Sequence, residues 1–153
     1  MTERYFVDSN ILAYARDPRY PSRQQVAQEW MRKLWDEKTG VLSTQVIKEF
    51  YSVVTRKFQP AVPRQLAQAE IRELMTWRLI ETDQTIFETA WSIEARGHCS
   101  WWDALIIAAA KHGGCGTILS EDLASHLMPV GITYINPFAD VLHESPANYE
   151  IRQ

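Results

Sequence analysis

The chain has 153 residues, 46% of them hydrophobic and 23% charged, and a formal net charge of -3. That length can bury a core without disulfides or a structural metal, and no apolar run approaches the roughly 18 residues that would span a bilayer. The slightly negative balance excludes nonspecific coating of nucleic acid by surplus Lys and Arg, while leaving room for a local basic rim.

Strand-like residues begin by Tyr5, which leaves no room for a charged start, an apolar stretch and a cleavage site. Nothing directs export, so a cytoplasmic location and one domain over residues 1–153 are expected. Tyr5 to Val7 reads as a strand, with a short helix following from Asn10 to Ala15. RDPRYPSR is a loop marked by two prolines, after which Ser22 caps a helix running to about Asp36. TGVLS is a second strand. The next helix, STQVIKEFYSVVTRKF, is capped by Ser43 or Thr44 and buries Val46, Phe50, Val53, Val54 and Phe58 on one face. Pro63 opens a further helix to about Trp77.

LIETD is a third strand, Thr82 or Asp83 caps a helix to about Arg96, and Gly97 ends it. Ser100 opens SWWDALIIAAAKHG, a helix apolar on nearly every side. TILS and ITYI supply two more strands, and the polar tail after Phe138 reads as frayed. Strands alternating with helices imply an α/β fold with a mainly parallel central sheet covered on both faces.

His98, Cys99, His112 and Cys115 are all zinc-ligand types, but a helix over Trp101 to Lys111 would hold the two pairs roughly 16 Å apart, beyond any shared coordination sphere. Two cysteines make no disulfide framework, and they read as buried structural thiols.

Ligands in an open parallel sheet bind beyond the carboxyl ends of the strands. That rule selects Asp8 after the first strand, Asp122 after TILS, Asp103 in the first turn of the apolar helix, and Glu49 at the edge of its helix's buried stripe. Each acid also has a purely structural reading. Asp8 and Asp122 occupy positions where caps are common, and Asp103 follows Ser100 at capping-box spacing. Glu49 suits a solvated glutamate near Arg56, and Glu121 rivals Asp122. Together they say more. Carboxylates converging on one sheet edge repel unless a divalent cation sits among them, and an all-oxygen donor set suits Mg²⁺ or Mn²⁺. Such a site suits phosphodiester hydrolysis.

FVDSNILAYA, the glutamate in VIKEFYSVV, the aspartate in WWDALIIAAA and the LSEDL segment, in that order, resemble the PIN domain, particularly the toxin ribonucleases of the VapC-like group. The resemblance spans about Tyr5 to Phe138. It implies a three-layer α/β/α sandwich and a Mg²⁺- or Mn²⁺-dependent endoribonuclease, the toxin of a toxin-antitoxin pair, that forms homodimers and is inhibited by a small antitoxin protein. By the same resemblance Asp8, Glu49, Asp103 and Asp122 are the acidic quartet, catalytic and metal-binding, while Asn10 and Ser120 orient them.

Candidate RNA contacts are Arg16, Arg19 and Arg23 on the proline loop and Lys48, Arg56 and Lys57 on the glutamate helix, all equally explicable as solvated surface charge. Trp101 and Trp102 suit core packing, a dimer contact or a stacking surface for bases. No GxSxG or phosphate-cradling glycine loop appears. The rival readings are an inert PIN-like binding module and a phosphoacceptor receiver-like domain; the latter's extra acidic pair and late lysine are missing.

Overall fold

The computed structural model describes residues 2–97, 99–141 and 143–150. Five short strands, β1 (Tyr5–Val7), β2 (Gly40–Ser43), β3 (Arg78–Ile80), β4 (Thr117–Leu119) and β5 (Thr133–Ile135), form one sheet in the order β3-β2-β1-β4-β5. All four pairings are parallel. The apolar runs YFV, GVLS and TIL suit strands covered on both faces, and both β2 and β4 are buried along their whole length.

Connections follow from strand order. From β1 through β2 to β3 the chain moves one way across the sheet, carrying α1 (Ser9–Tyr14), α2 (Pro21–Glu37), α3 (Thr44–Ser52) and α4 (Arg64–Leu74). It then returns past β1 to β4, carrying α5 (Gln84–Arg96) and α6 (Trp101–His112). Right-handed crossovers in opposite directions put the two helix groups on opposite faces, which makes three layers. The α/β/α sandwich expected from the sequence is the fold observed. Ile106, Ile107, Ala109 and Ala110 of α6 belong to the sheet's core, whereas Ala104, Leu105 and Ala108 pack with Ile86 and Ala90 of α5. That double burial explains why α6 is apolar all round.

Several caps fall where the sequence puts them: the side chains of Ser43, Asp83 and Ser100 accept from the amides of Val46, Ile86 and Asp103. Three details differ. Helix α2 begins at Pro21 with no side-chain cap, because the Ser22 amide is satisfied instead by the Glu144 carboxylate. The glutamate helix ends at Ser52 and passes into a π turn, Val53–Lys57. Helix α4 stops at Leu74, and Trp77 lies outside it. His98 lies outside the described residues, and Cys115 is buried, which pushes its thiol up to about 12.

Candidate active site

The sheet changes its direction of winding between β1 and β4, and crevices open at such switch points. Register makes this one specific. Val7 pairs with Leu119, so the next residues along, Asp8 and Ser120, emerge level with each other at the carboxyl edge. The Asp8 amide continues the ladder to the Leu119 carbonyl at 3.0 Å.

Asp8 is 1% exposed, and both its oxygens are occupied. Oδ1 accepts from the Ser9 amide at 2.7 Å and Oδ2 from the Ser120 hydroxyl at 2.7 Å, which offsets the cost of burying the charge. Ser120 is itself a hub, since its Oγ accepts from the Asp122 amide at 3.2 Å and from Asn10 Nδ2 at 3.3 Å. Asn10 Nδ2 also donates to Asp122 Oδ2 at 3.0 Å, and Asn10 Oδ1 accepts from the Glu121 amide at 3.3 Å. Two acids more than a hundred residues apart are therefore bound into one network by Asn10 and Ser120.

Glu49 enters from α3. Ser9 Oγ donates to its Oε2 at 3.0 Å and Gln45 Nε2 to its Oε1 at 3.0 Å. The same Gln45 nitrogen reaches the Trp102 carbonyl at 3.3 Å, which ties the start of α6 to Glu49. Asp103 is the next residue, in the first turn of α6, where its amide donates to the Ser100 hydroxyl. Glu121 goes elsewhere: its carboxylate accepts from Tyr14 Oη at 2.7 Å and Arg23 Nε at 2.9 Å, which leaves Asp122 facing Asn10.

The field around these acids registers on a neighbour. Tyr134 of β5 has its phenol pushed up to about 12, by burial first and then by the negative charges of Asp122 and Asp8. Among the described residues no group of three His, Cys, Asp or Glu side chains forms a ready metal cage. The donor chemistry still fits a hard ion. Mg²⁺ takes one or two carboxylates and keeps several waters, and the buried Gln45 Oε1 beside Glu49 is a further oxygen without a hydrogen-bond partner.

The PIN domain family model matches residues 5–125. The chain belongs to the PIN domain family. No curated protein is a significant match. Solved structures of similar fold include VapBC2 from Rickettsia felis bound to a DNA fragment from their promoter, at TM-score 0.61, 14% identity, and coverage of 86% of this chain and 97% of that one. Mycobacterium tuberculosis VapC20, a Sarcin-Ricin loop cleaving toxin, aligns at TM-score 0.57 and 22% identity over 74% of this chain and 86% of its own. DNA-bound VapBC from Salmonella typhimurium aligns at 0.63 and 11%, over 89% and 99%.

In this PIN domain the basic residues divide. Arg23 does not face solvent; it is 4% exposed and paired with Glu121 at 2.9 Å and Glu144 at 3.6 Å, so the expected RNA contact is a buried structural ion pair instead. Arg16 grips Glu70 through Nε at 2.6 and 2.7 Å, and Arg19 pairs with Asp17 at 2.7 Å. Lys48 and Arg56 are exposed. Trp101 is partly buried and stacks on Trp91, with ring centroids 6.0 Å apart, beside Phe87 on the α5 surface.

The tail of the PIN domain is tied down over residues 143–150, where its composition suggests fraying. Glu144 accepts from the amides of Ser22 and Arg23, Tyr14 Oη accepts from the Ala147 amide, and Tyr149 Oη donates to Asp17 Oδ2 at 2.7 Å. The Tyr149 ring packs on Tyr14 and Phe58, and Lys57 reaches the Glu150 carbonyl. The acidic cleft, about 150 Å³, is thereby walled by Asn10, Glu49 and Asp122 on one side and residues 147–150 on the other. Ser9 and Gln45 are the site residues that sequence reasoning passes over. Gln45 carries one signal, its place one helical turn before Glu49.

Proposed function

We propose that this PIN domain is a Mg²⁺- or Mn²⁺-dependent endoribonuclease, the toxin of a toxin-antitoxin pair, acting in the cytoplasm and restrained by a cognate antitoxin protein. The reading includes a homodimer, for which the partly exposed Phe87, Trp91 and Trp101 offer an apolar surface. The observation that carries it is the network joining Asp8, Ser120, Asn10 and Asp122 at the switch point, with Glu49 bound in through Ser9. VapC20, of similar fold, is a toxin that cleaves the Sarcin-Ricin loop, and VapBC complexes are among the similar structures.

Asp8, Glu49, Asp103 and Asp122 are the oxygens available to the divalent ion. When bound, that ion stabilises the charge that develops on phosphate during in-line displacement. Ser120 and Asn10 lock the Asp8 and Asp122 rotamers, and Gln45 and Ser9 do the same for Glu49, so little reorganisation remains when substrate arrives. Glu49, lining the cleft, is the carboxylate to accept the proton of an attacking water. Lys48 and Arg56, exposed on the same helix or just past it, are the phosphate contacts that remain after the loop arginines are accounted for.

The test is an RNA digest in Mn²⁺, in Mg²⁺ and in EDTA, alongside calorimetric titration of Mn²⁺. Cleavage that needs the metal, together with a saturable isotherm, is the expected result. Digestion undiminished by EDTA overturns the metal dependence, and absence of both cleavage and binding at neutral pH favours the inert binding module.

The tail modifies this expectation. Deleting residues 146–153 is expected to raise kcat/KM about threefold or more, because substrate no longer waits for the cleft to be uncovered. Loss of the Tyr149–Asp17 hydrogen bond should lower stability by about 1 kcal/mol. Asp17 is held below the usual carboxylate range: burial opposes its charge, but hydrogen bonds from Arg19 and Tyr149 outweigh it. That part of the tail's anchorage is present at neutral pH and is lost as pH falls through the depressed value. Equal rates for the full and shortened chains would show that substrate passes the tail unhindered.

A further inference from the structure

At the opposite edge of the sheet, where β1, β2 and β3 begin, lies a cleft of about 490 Å³. Arg4 leads into β1, Thr39 into β2, and Arg78 opens β3. Arg4 Nη1 and Arg78 Nε donate to the same acceptor, the Gly113 carbonyl, at 3.3 and 3.2 Å, which draws two guanidinium groups together. Lys38 adds a third cation to the lining. None of the three has a carboxylate partner among the described residues. The acids next to them in sequence are engaged elsewhere, Glu3 with the Thr117 hydroxyl at 2.6 Å and Glu37 with Lys33 at 3.0 Å. Gly113 caps the carboxyl end of α6, whose partial negative charge offsets only part of this repulsion. An anion would relieve the rest, and a pair of guanidinium forks matches phosphate geometry.

The other wall is aromatic. The rings of Trp35 and Trp77 stand 5.8 Å apart, tilted by 58°, and Trp35 is 45% exposed. Trp77 is seated on Gly40 so closely that any Cβ there would collide with its ring, which fixes that face of the cleft. Thr39 lines the cleft, is 3% exposed, and its hydroxyl has no hydrogen-bond partner. A buried hydroxyl left unpaired costs free energy that a ligand oxygen can recover.

We propose that this cleft binds a nucleotide, with the phosphate on Arg4, Arg78 and Lys38 and the base against the exposed face of Trp35. A bare inorganic anion would leave the aromatic wall uncovered, whereas a nucleotide uses both, and the cleft's volume falls within the ~300–1,000 Å³ common for small-molecule sites. The nucleotide is either free or one unit of an RNA strand. This inference does not rest on the nuclease reading, since the acids stand at the other ends of the strands.

The experiment is calorimetric titration of the full chain with AMP, adenosine, inorganic phosphate and a 5′-phosphorylated RNA pentamer. EDTA is kept present so that no cation bridges phosphate to the acidic cleft. AMP is expected to bind at least tenfold more tightly than adenosine or phosphate alone. Arg78→Ala and Trp35→Ala change exposed side chains, and each is expected to weaken AMP at least fivefold while the variant stays folded at the titration temperature, its thermal midpoint lowered only by loss of the contact to Gly113 or to Trp77. A pentamer that binds at least tenfold more tightly than AMP, with the same sensitivity to Arg78→Ala, identifies an RNA strand as the source; equal affinities identify the free nucleotide. No AMP binding up to millimolar concentration, or binding unchanged in both variants, overturns the proposal and leaves the acidic site untouched.

Discussion

Replacing Asp8 by Asn is expected to lower RNA cleavage by roughly a hundredfold or more, about 2.7 kcal/mol of transition-state stabilisation, while the fold stays in place. The two halves of that expectation have different causes. Asp8 is the N-cap of α1, accepting from the Ser9 amide, and Asn serves an N-cap about as well as Asp. Its shape is also the same, so the closely packed surroundings need not move. What is lost is the negative charge at the centre of the network, the charge proposed to hold the divalent ion, and with it the acceptor that sets the direction of the Ser120 hydroxyl. The measurement pairs cleavage rates with a Mn²⁺ isotherm and a thermal midpoint for the purified variant. Unchanged cleavage by Asp8→Asn, at an unchanged midpoint, would remove Asp8 from the chemistry and with it the nuclease assignment. Ser120→Ala provides a graded comparison, with an expected loss of about 10- to 100-fold, because it deprives Asp8 of its orienting partner but leaves the carboxylate.

The positions of the candidate acids at strand ends and in helix turns are legible in the sequence because they are set by local rules. A carboxylate at a strand end or in a helix's first turn can be placed without knowing which strands are neighbours, and Asp8, Asp122 and Asp103 are of this kind. Even Glu49 follows from counting helical angle. Partnership is another matter. Nothing near Arg23 in sequence indicates that Glu121 and Glu144 will be its partners, since those contacts depend on β1 lying beside β4 and on the tail folding back. A proline-rich loop with three arginines therefore looks like a phosphate-binding rim, while the fold uses Arg16, Arg19 and Arg23 to bind its own carboxylates. The tail illustrates the same limit. Its polar composition suggests fraying, but Tyr149 alone supplies two ring contacts and a hydrogen bond. Composition averages over the few residues, Glu144, Ala147 and Tyr149, that anchor the tail.

Glu121 and Asp122, adjacent in sequence, show how the fold separates two like charges into different tasks. Glu121 is bound by Tyr14 and Arg23 on the tail side, and the Tyr14 phenol is raised well above its usual value, by burial first and then by that carboxylate. Asp122 is exposed and turned toward Asn10. The segment from Ser120 to Asp122 is thus held at both ends of a short arc, and Ser120 and Asn10 tie Asp122 to the network around Asp8.

Arg23→Met tests that arrangement from the other side and is expected to produce the largest loss of stability. Met keeps the apolar stem of the side chain but removes the guanidinium, which lies over the Tyr14 and Phe138 rings at 5.5 and 5.8 Å. The charge, its hydrogen bonds and its ring contacts disappear together. The Glu121 carboxylate, on a side chain 10% exposed, then remains buried without its cation, a change that typically costs about 3–5 kcal/mol. For a chain of this size that corresponds to a fall of roughly 10 °C in thermal midpoint. Because Glu121 also steadies Asp122, cleavage should fall with it. The double variant Arg23→Met with Glu121→Gln separates the causes: removing the stranded charge should restore part of the stability but not the Arg23–Glu144 tie to the tail. A midpoint within about 2 °C of the parent protein for Arg23→Met alone would mean that Glu121 finds solvent when its partner leaves, and the buried ion pair would then contribute little to holding the LSED segment in place.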